Sequence, residues 1–436
     1  MTRCRSDRAD RTGRDRRSAA GVVAQRSKRR GAAGIIDEHR DTTGVGDMVE
    51  AAPSAERRSA RRAARRARLG RRRLLVLGGL ALVALVVVLV IVLAAGGGGD
   101  GGLQRPGDPP LGYLRDPMGG RQYRVTAWTL GGAASVRAAL AEKAVDEIDF
   151  DWYHSQADGS IVAQNEDLEL VAEAADAGVN VFATVVNSPR FGAPFSADAV
   201  SQILTTRQTR RRHIRNLVDL VLTKGYDGID LDWEELHAED RDRLSLFVEE
   251  LAAALHKRGR FLSIAVFPKT SEPGSWSAQQ VMEYARLGAV VDQFKIMLYA
   301  YSGPWSDPGP QAPFEWVDEV LHFAKGEVPP EKIYMGIPFF GYSWRAGTAR
   351  AMTAKEVAAL PQAFLNNAAR DEGSGELILR FTDDYGVAHH AYVQDRAALQ
   401  AKLEHLREEH PDIAGVSIWA MGQEGPRFWE VVQSGL

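Results

Sequence analysis

Four acids stand at fixed spacing in the run Asp227-Gly228-Ile229-Asp230-Leu231-Asp232-Trp233-Glu234. Hydrophobic residues alternate with acids there and Gly225 precedes them, so the run reads as a β-strand. Side chains two apart share one face of a strand. Asp230, Asp232 and Glu234 therefore point one way, and Ile229, Leu231 and Trp233 the other. Carboxylates crowded on a half-buried strand repel one another and lose solvation. A fold that keeps them gains a carboxyl group of raised pKa, able to protonate a leaving oxygen, or a seat for a cation. Three readings stay open: a proton-transfer site, an oxygen-lined site for Mg²⁺ or Mn²⁺, and a solvated acidic face. The apolar opposite face weighs against the last. No phosphate-binding glycine loop or histidine ligand accompanies the run, which weighs against the metal.

The elements around this run must hold it rigidly. From about Tyr123, apolar β-like runs alternate with helical patterns, the signature of βα units and a parallel sheet. Eight runs are predicted as strands: Arg124–Thr129, Glu147–Asp151, Val179–Val186, Gly228–Trp233, Arg260–Phe267, Gln293–Tyr299, Ile333–Phe339 and Gly415–Ala420. Helical segments separate most of them: Ala133–Ala144, Glu166–Ala177, Ala197–Lys224, Ala238–Lys257, Ser277–Leu287 and Pro313–Lys325. The pattern fits an α/β fold, a (β/α)8 TIM barrel. A doubly wound open sheet is the alternative, but the first strand is not followed by a nucleotide-binding glycine fingerprint. Between the seventh and eighth strands, Glu376–Thr382 and Val387–Val393 flank the turn Asp383-Asp384-Tyr385-Gly386 and read as a hairpin, with helical Met352–Leu365 before it. This predicts a small α+β insertion over about 345–412. Catalytic residues of such barrels sit at the C-terminal strand ends, and Glu234 ends the fourth.

The acids Asp227, Asp230, Asp232 and Glu234 resemble, position for position, the DxxDxDxE signature of glycoside hydrolase family 18, the chitinase-like family. Other strands agree over about residues 123–436. Met297-Leu298-Tyr299 is similar to the family's Met-x-Tyr-Asp, with Ala300 in place of the acid. Gly415 to Gln423 resembles its closing motif and contains Trp419. Met335 to Tyr342 is similar to a seventh-strand pattern, with Phe340 where tyrosine is common. Phe150-Asp151-Trp152-Tyr153, Asp158-Gly159-Ser160 and Asn187 resemble the subgroup of spore-cortex and cell-wall N-acetylglucosaminidases.

The resemblance implies a retaining glycosidase in which the substrate's own acetamide replaces an enzyme nucleophile. It implies Glu234 as general acid and then base, Asp232 as the residue that orients the acetamide, Asp230 as its modulator, and Tyr299 as a donor to the acetamide carbonyl. Asp227, Trp419, Met297, Tyr301, Tyr153, Asn187, Gln293 and Tyr342 are the implied substrate-binding set. Neither a cofactor nor a metal is implied. The expected partner is an N-acetylglucosamine-containing oligosaccharide or polysaccharide, peptidoglycan or chitin. Ala300 motivates an alternative, a saccharide-binding barrel without turnover.

Charge divides the chain of 436 residues. Residues 1–73 carry 22 Lys/Arg against 9 Asp/Glu, a balance of +13, and residues 74–436 carry 32 against 48, a balance of −16. The acidic part is the expected folded domain, which argues against nucleic acid as its ligand. Leu74 to Ala95 is unbroken by any charge and long enough to span a bilayer. The Arg-rich run 57–73 before it predicts a single-pass anchor with the N-terminus cytoplasmic and the C-terminal domain outside. A cleaved leader, giving a secreted domain, is the alternative. Residues 1–47 lack periodicity and read as disordered, and Met48 is a candidate start. Residues 96–122 form a Gly/Pro-rich linker whose flexible part has an end-to-end distance of about 20–25 Å. The single cysteine, Cys4, leaves the exported part without disulfides.

Overall fold

The computed structural model describes residues 120–383 and 385–436. The basic segment 1–73, the apolar span 74–95 and nearly all of the linker lie outside the described residues. Among the described residues no helix is long and apolar enough to cross a membrane.

The first strands in chain order are β1 (Arg124–Thr129), β2 (Glu147–Ser155), β3 (Ile161–Ala163), β4 (Asn180–Val186), β5 (Gly228–Asp232), β6 (Phe261–Val266), β7 (Gln293–Ile296) and β8 (Ile333–Pro338). They are followed by β9 (Phe340–Arg345), β10 (Thr348–Thr353), β11 (Ala369–Arg370), β12 (Leu377–Thr382), β13 (Ala388–Val393) and β14 (Gly415–Met421). Strands β1, β2, β4, β5, β6, β7, β8 and β14 pair in parallel, and β14 returns to β1. This closes an eight-stranded barrel, and β3 adds to β2 as an antiparallel edge.

The eight strands expected from the sequence are these eight. Their interior sequences are continuously apolar on the helix-facing side, which is what burial on both faces demands. Trp233, just past β5, stacks on Phe247 of the Arg241–His256 helix at 4.8 Å. Four expected strands stop early, among them β5 at Asp232 and β7 at Ile296. Glu234 and Tyr299 thus sit in the loops just beyond the strand ends, where a barrel builds its site.

The helices differ more. The expected segment Ala197–Lys224 breaks at Thr206, whose extended backbone and side-chain acceptor for Thr209 N–H start a second helix, Arg207–Lys224. That helix ends at Gly225, where φ is 80° and a glycine avoids a Cβ clash. The expected helix Met352–Leu365 is reduced to Ala354–Ala358 and Gln362–Leu365. Thr353 and Glu356 form a capping box, and Pro361 lacks the N–H needed to continue. The helices Arg396–Glu409 and Phe428–Gly435 were not expected.

The insertion is a five-stranded antiparallel sheet, in the order β10-β9-β13-β12-β11. Its expected hairpin, β12 with β13, pairs from Leu377 opposite Val393 to Thr382 opposite Ala388. Glu376 at its base is fully buried. It accepts the backbone N–H groups of Gln311 at 2.8 Å and Ala312 at 3.0 Å, and the Lys402 ammonium at 3.1 Å. One carboxylate therefore ties the insertion to loop 302–313 and to the Arg396–Glu409 helix.

Candidate active site

Asp230, Asp232 and Glu234 rise along the barrel interior in that order. Asp230 is fully buried, and four strands send it donors. Its Oδ2 accepts from Trp128 Nε1 on β1 at 2.8 Å and from Thr184 Oγ1 on β4 at 3.1 Å. Its Oδ1 accepts from Ser263 Oγ on β6 at 2.6 Å and from Lys295 Nζ on β7 at 3.3 Å. Asp232, one rung up, is buried, and its Oδ1 has no hydrogen-bond partner among the described residues. Burial raises its carboxyl well above the ordinary range, and Glu234, Asp230 and Asp151 push the same way. Glu234 is pushed up to about 8, mainly by burial, then by Glu235 and Asp151. It therefore holds its proton at neutral pH. Asn187 fixes its backbone on both sides: Nδ2 donates to Glu234 O at 2.8 Å, and Glu234 N–H donates to Asn187 Oδ1 at 2.9 Å.

Strand β2 carries a second column of acids, Glu147-Ile148-Asp149-Phe150-Asp151, with the same period of two. Lys295 joins the columns. Its ammonium is fully buried and lies 3.0 Å from Glu147, 2.7 Å from Asp149 and 3.3 Å from Asp230. Burial alone would lower the lysine's pKa, but Asp149, Asp230 and Glu147 outweigh it and the net shift is upward. A side chain thus supplies positive charge among these acids. Asp151 is raised to about 7 by burial and by Asp230. Glu147, Asp149 and Lys295 had no role in the sequence reading, and Asp151 entered only within the second-strand resemblance. Their signal was present: acids at period two in one apolar strand, and a lysine inside another, where few lysines are found unpaired.

Above the acids opens a cleft of about 1070 Å³ lined by Asp232, Glu234, Trp128, Met297, Tyr299, Tyr301, Tyr342 and Trp419. Trp128 and Trp419 form its floor, with centroids 5.8 Å apart. Trp276, Tyr301 and Trp305 stand on its rim at 44%, 51% and 66% exposure. Rings this exposed on one cleft mark a ligand surface, and their faces suit the apolar C–H faces of pyranose rings. Tyr299 is raised well above its ordinary pKa, first by burial and then by Asp232, Glu234 and Asp230, so its hydroxyl remains a donor. Ala300 follows at φ 61°, a region alanine rarely adopts.

Of the expected binding set, Met297, Tyr301, Tyr342 and Trp419 line the cleft. Three others stand away from it. The Asp227 side chain accepts Val181 N–H at 3.0 Å at the start of β5, clamping β4 to β5. Gln293 is buried and donates to Glu147 at 2.6 Å, beneath the acids. The Tyr153 hydroxyl is buried against Glu166 and Tyr226. Asn187 acts on the Glu234 backbone.

A barrel with a carboxylic acid at the end of its fourth strand and an aromatic cleft above defines a class, the glycosidase-type barrels. Residues 190–424 match the family described as glycosyl hydrolases family 18, and the chain belongs to that family. It is 31% identical over 264 residues to YdhD of Bacillus subtilis, a protein named as a sporulation-specific glycosylase, covering 59% of this chain and 61% of that one. It is 27% identical over 287 residues to the cortical fragment-lytic enzyme of Bacillus subtilis, covering 64% of each. The chain spans less than two thirds of either relative. Among solved structures, a chitinase from Chromobacterium violaceum superposes with a TM-score of 0.66 at 26% identity, over 72% of this chain and 98% of that one.

Proposed function

We propose that this protein hydrolyses β-1,4 linkages beside N-acetylglucosamine, with retention of configuration and with the substrate's acetamide as nucleophile. The observation that carries this reading is the pair of acids lining the cleft: Glu234 at the end of its strand, beside Asp232 with its open Oδ1. Glu234 gives its proton to the glycosidic oxygen as the bond to the anomeric carbon breaks. The acetamide oxygen attacks that carbon and closes an oxazolinium ring. With the proton of this pair on Glu234, Asp232 is the carboxylate that accepts the acetamide N–H and balances the positive charge, and the Tyr299 hydroxyl donates to the acetamide oxygen. Glu234, now a carboxylate, takes a proton from the water that opens the ring. Holding the acetamide against the reacting carbon supplies the proximity that an enzyme nucleophile otherwise would.

Cell-wall glycan is the preferred substrate class. One relative is named for lysis of cortical fragments, and the apolar span 74–95 would hold the domain at the outer membrane face on a short linker. Ala300 favours a second reading, saccharide binding without turnover. The test is product analysis with the full chain, wild type beside Glu234→Gln, on purified peptidoglycan and on chitooligosaccharides. Products from wild type alone support catalysis; binding by both and cleavage by neither supports the second reading. Cleavage of chitooligosaccharides only would remove cell-wall glycan.

A further inference from the structure

In the outer ring of helices, two histidines converge on one aspartate. Asp318 lies on the helix Phe314–Glu327, His405 near the end of the helix Arg396–Glu409, and His410 just past it. None of the three lines the cleft. The Nε2 atoms of His405 and His410 stand 2.7 and 2.8 Å from the same oxygen, Asp318 Oδ1. The three atoms fall within 4.8 Å of one another. The histidines follow Asp318 by 87 and 92 positions, with β8 to β13 between them, so barrel closure and not local structure assembles the group. Two imidazole nitrogens and a carboxylate oxygen form a donor set that suits first-row divalent ions such as Zn²⁺, whereas Mg²⁺ and Ca²⁺ favour oxygen alone.

We propose that Asp318, His405 and His410 bind one such ion as a structural clip, tying together the two helices that bracket β8 and the insertion. Bonds of about 2.0–2.1 Å place tetrahedral ligands about 3.3 Å apart. The ion therefore enters once the carboxylate backs away by about half an ångström. Asp318 is the ligand with room to move: its side chain is 41% exposed, against 16% for His405 and 8% for His410. Packing holds the rings. Phe314 stacks on His405 with centroids 4.4 Å apart. The His410 Nδ1 is buried without a hydrogen-bond partner, so the ring can carry its proton there and turn Nε2 to the ion with no other bond broken. The exposed side of Asp318 leaves water the remaining position. The nearby Lys325 ammonium is paired with Asp412, which offsets its charge. The last carbonyls of the Arg396–Glu409 helix add partial negative charge beside the site. The clip takes no part in the proposed hydrolysis and stands apart from that reading.

The test is calorimetric titration of the full chain, stripped with a chelator and held in detergent, with Zn²⁺ alone. Wild type is compared with His405→Gln and Asp318→Asn. Losing a supporting partner of a metal ligand weakens binding about 10–100-fold, and losing a ligand should cost at least as much. Expected is a site in wild type that each substitution weakens about 100-fold or more. Zn²⁺ at about 100 times its dissociation constant should also raise the wild-type melting temperature by about 2–4 °C and leave both variants unmoved. Equal binding in all three proteins, as Cys4 or His39 alone would give, overturns the proposal. So does the absence of binding, which would leave the trio a hydrogen-bonded clamp. Should a variant fail to fold, anomalous diffraction at the zinc edge from wild-type crystals soaked in Zn²⁺ decides. A peak bonded to all three side chains supports the clip, and no peak there overturns it.

Discussion

Glu234 is an acid because of where it stands. Its ordinary pKa lies near 4.5 and its folded value near 8, so between those limits the folded protein binds a proton that the unfolded chain does not. Stability contributed by that proton is full below the unfolded value and is lost as pH rises toward 8. Glu234→Gln mimics the protonated form. Its melting temperature should therefore match wild type near pH 4.5 and exceed it by about 2 °C or more at pH 8.5; equal melting temperatures across that range would refute the shift. Turnover should fall on the alkaline side as Glu234 ionises, through about pH 8, measured as kcat against pH. Asp232→Asn keeps the shape of the side chain and removes its charge. It should lower kcat by about 10²–10³ while leaving sugar binding, followed by Trp fluorescence, largely intact.

At the scale of elements, the acid strand was legible because its chemistry is local. Asp230, Asp232 and Glu234 share one face by strand periodicity alone, and the eight apolar runs announced the barrel. What was not legible comes from pairing. Glu147 and Lys295 are 148 positions apart and meet only when the barrel closes. Tyr153, Gln293 and Asp227 lie on or beside the right strands, but at the wrong depth or the wrong end, and periodicity gives the face of a residue without its height. The helix over 352–365 failed because Pro361 stops what the apolar pattern suggests. Asn187 is an element-scale device: it joins the end of β4 to the loop after β5. Asn187→Ala should lower kcat about tenfold or more, with little change in KM, because Glu234 loses its two backbone restraints. On the outer side, Phe247→Ala should cost about 3–5 kcal/mol in urea unfolding, since its ring fills the stack beneath Trp233.

For the whole molecule, the insertion and loop 302–313 build the wall of the cleft around an antiparallel sheet pinned by Glu376 and Lys402. Trp305 on that loop is 66% exposed and 6.2 Å from Tyr342. It reads as a distant sugar platform, so Trp305→Ala should raise KM for long oligomers about tenfold and leave that for the shortest nearly unchanged. The proposed anchoring by the apolar span 74–95 is tested at the same scale: the protein should then fractionate with membranes, and deletion of 74–95 should release it. The most direct measurement of the central claim is hydrolysis of an N-acetylglucosamine oligomer by the full chain, wild type beside Glu234→Gln, with anomeric products followed by NMR. Expected are β-anomers first from wild type and no products from Glu234→Gln. Cleavage by Glu234→Gln at the wild-type rate, or α-anomers first, would contradict it.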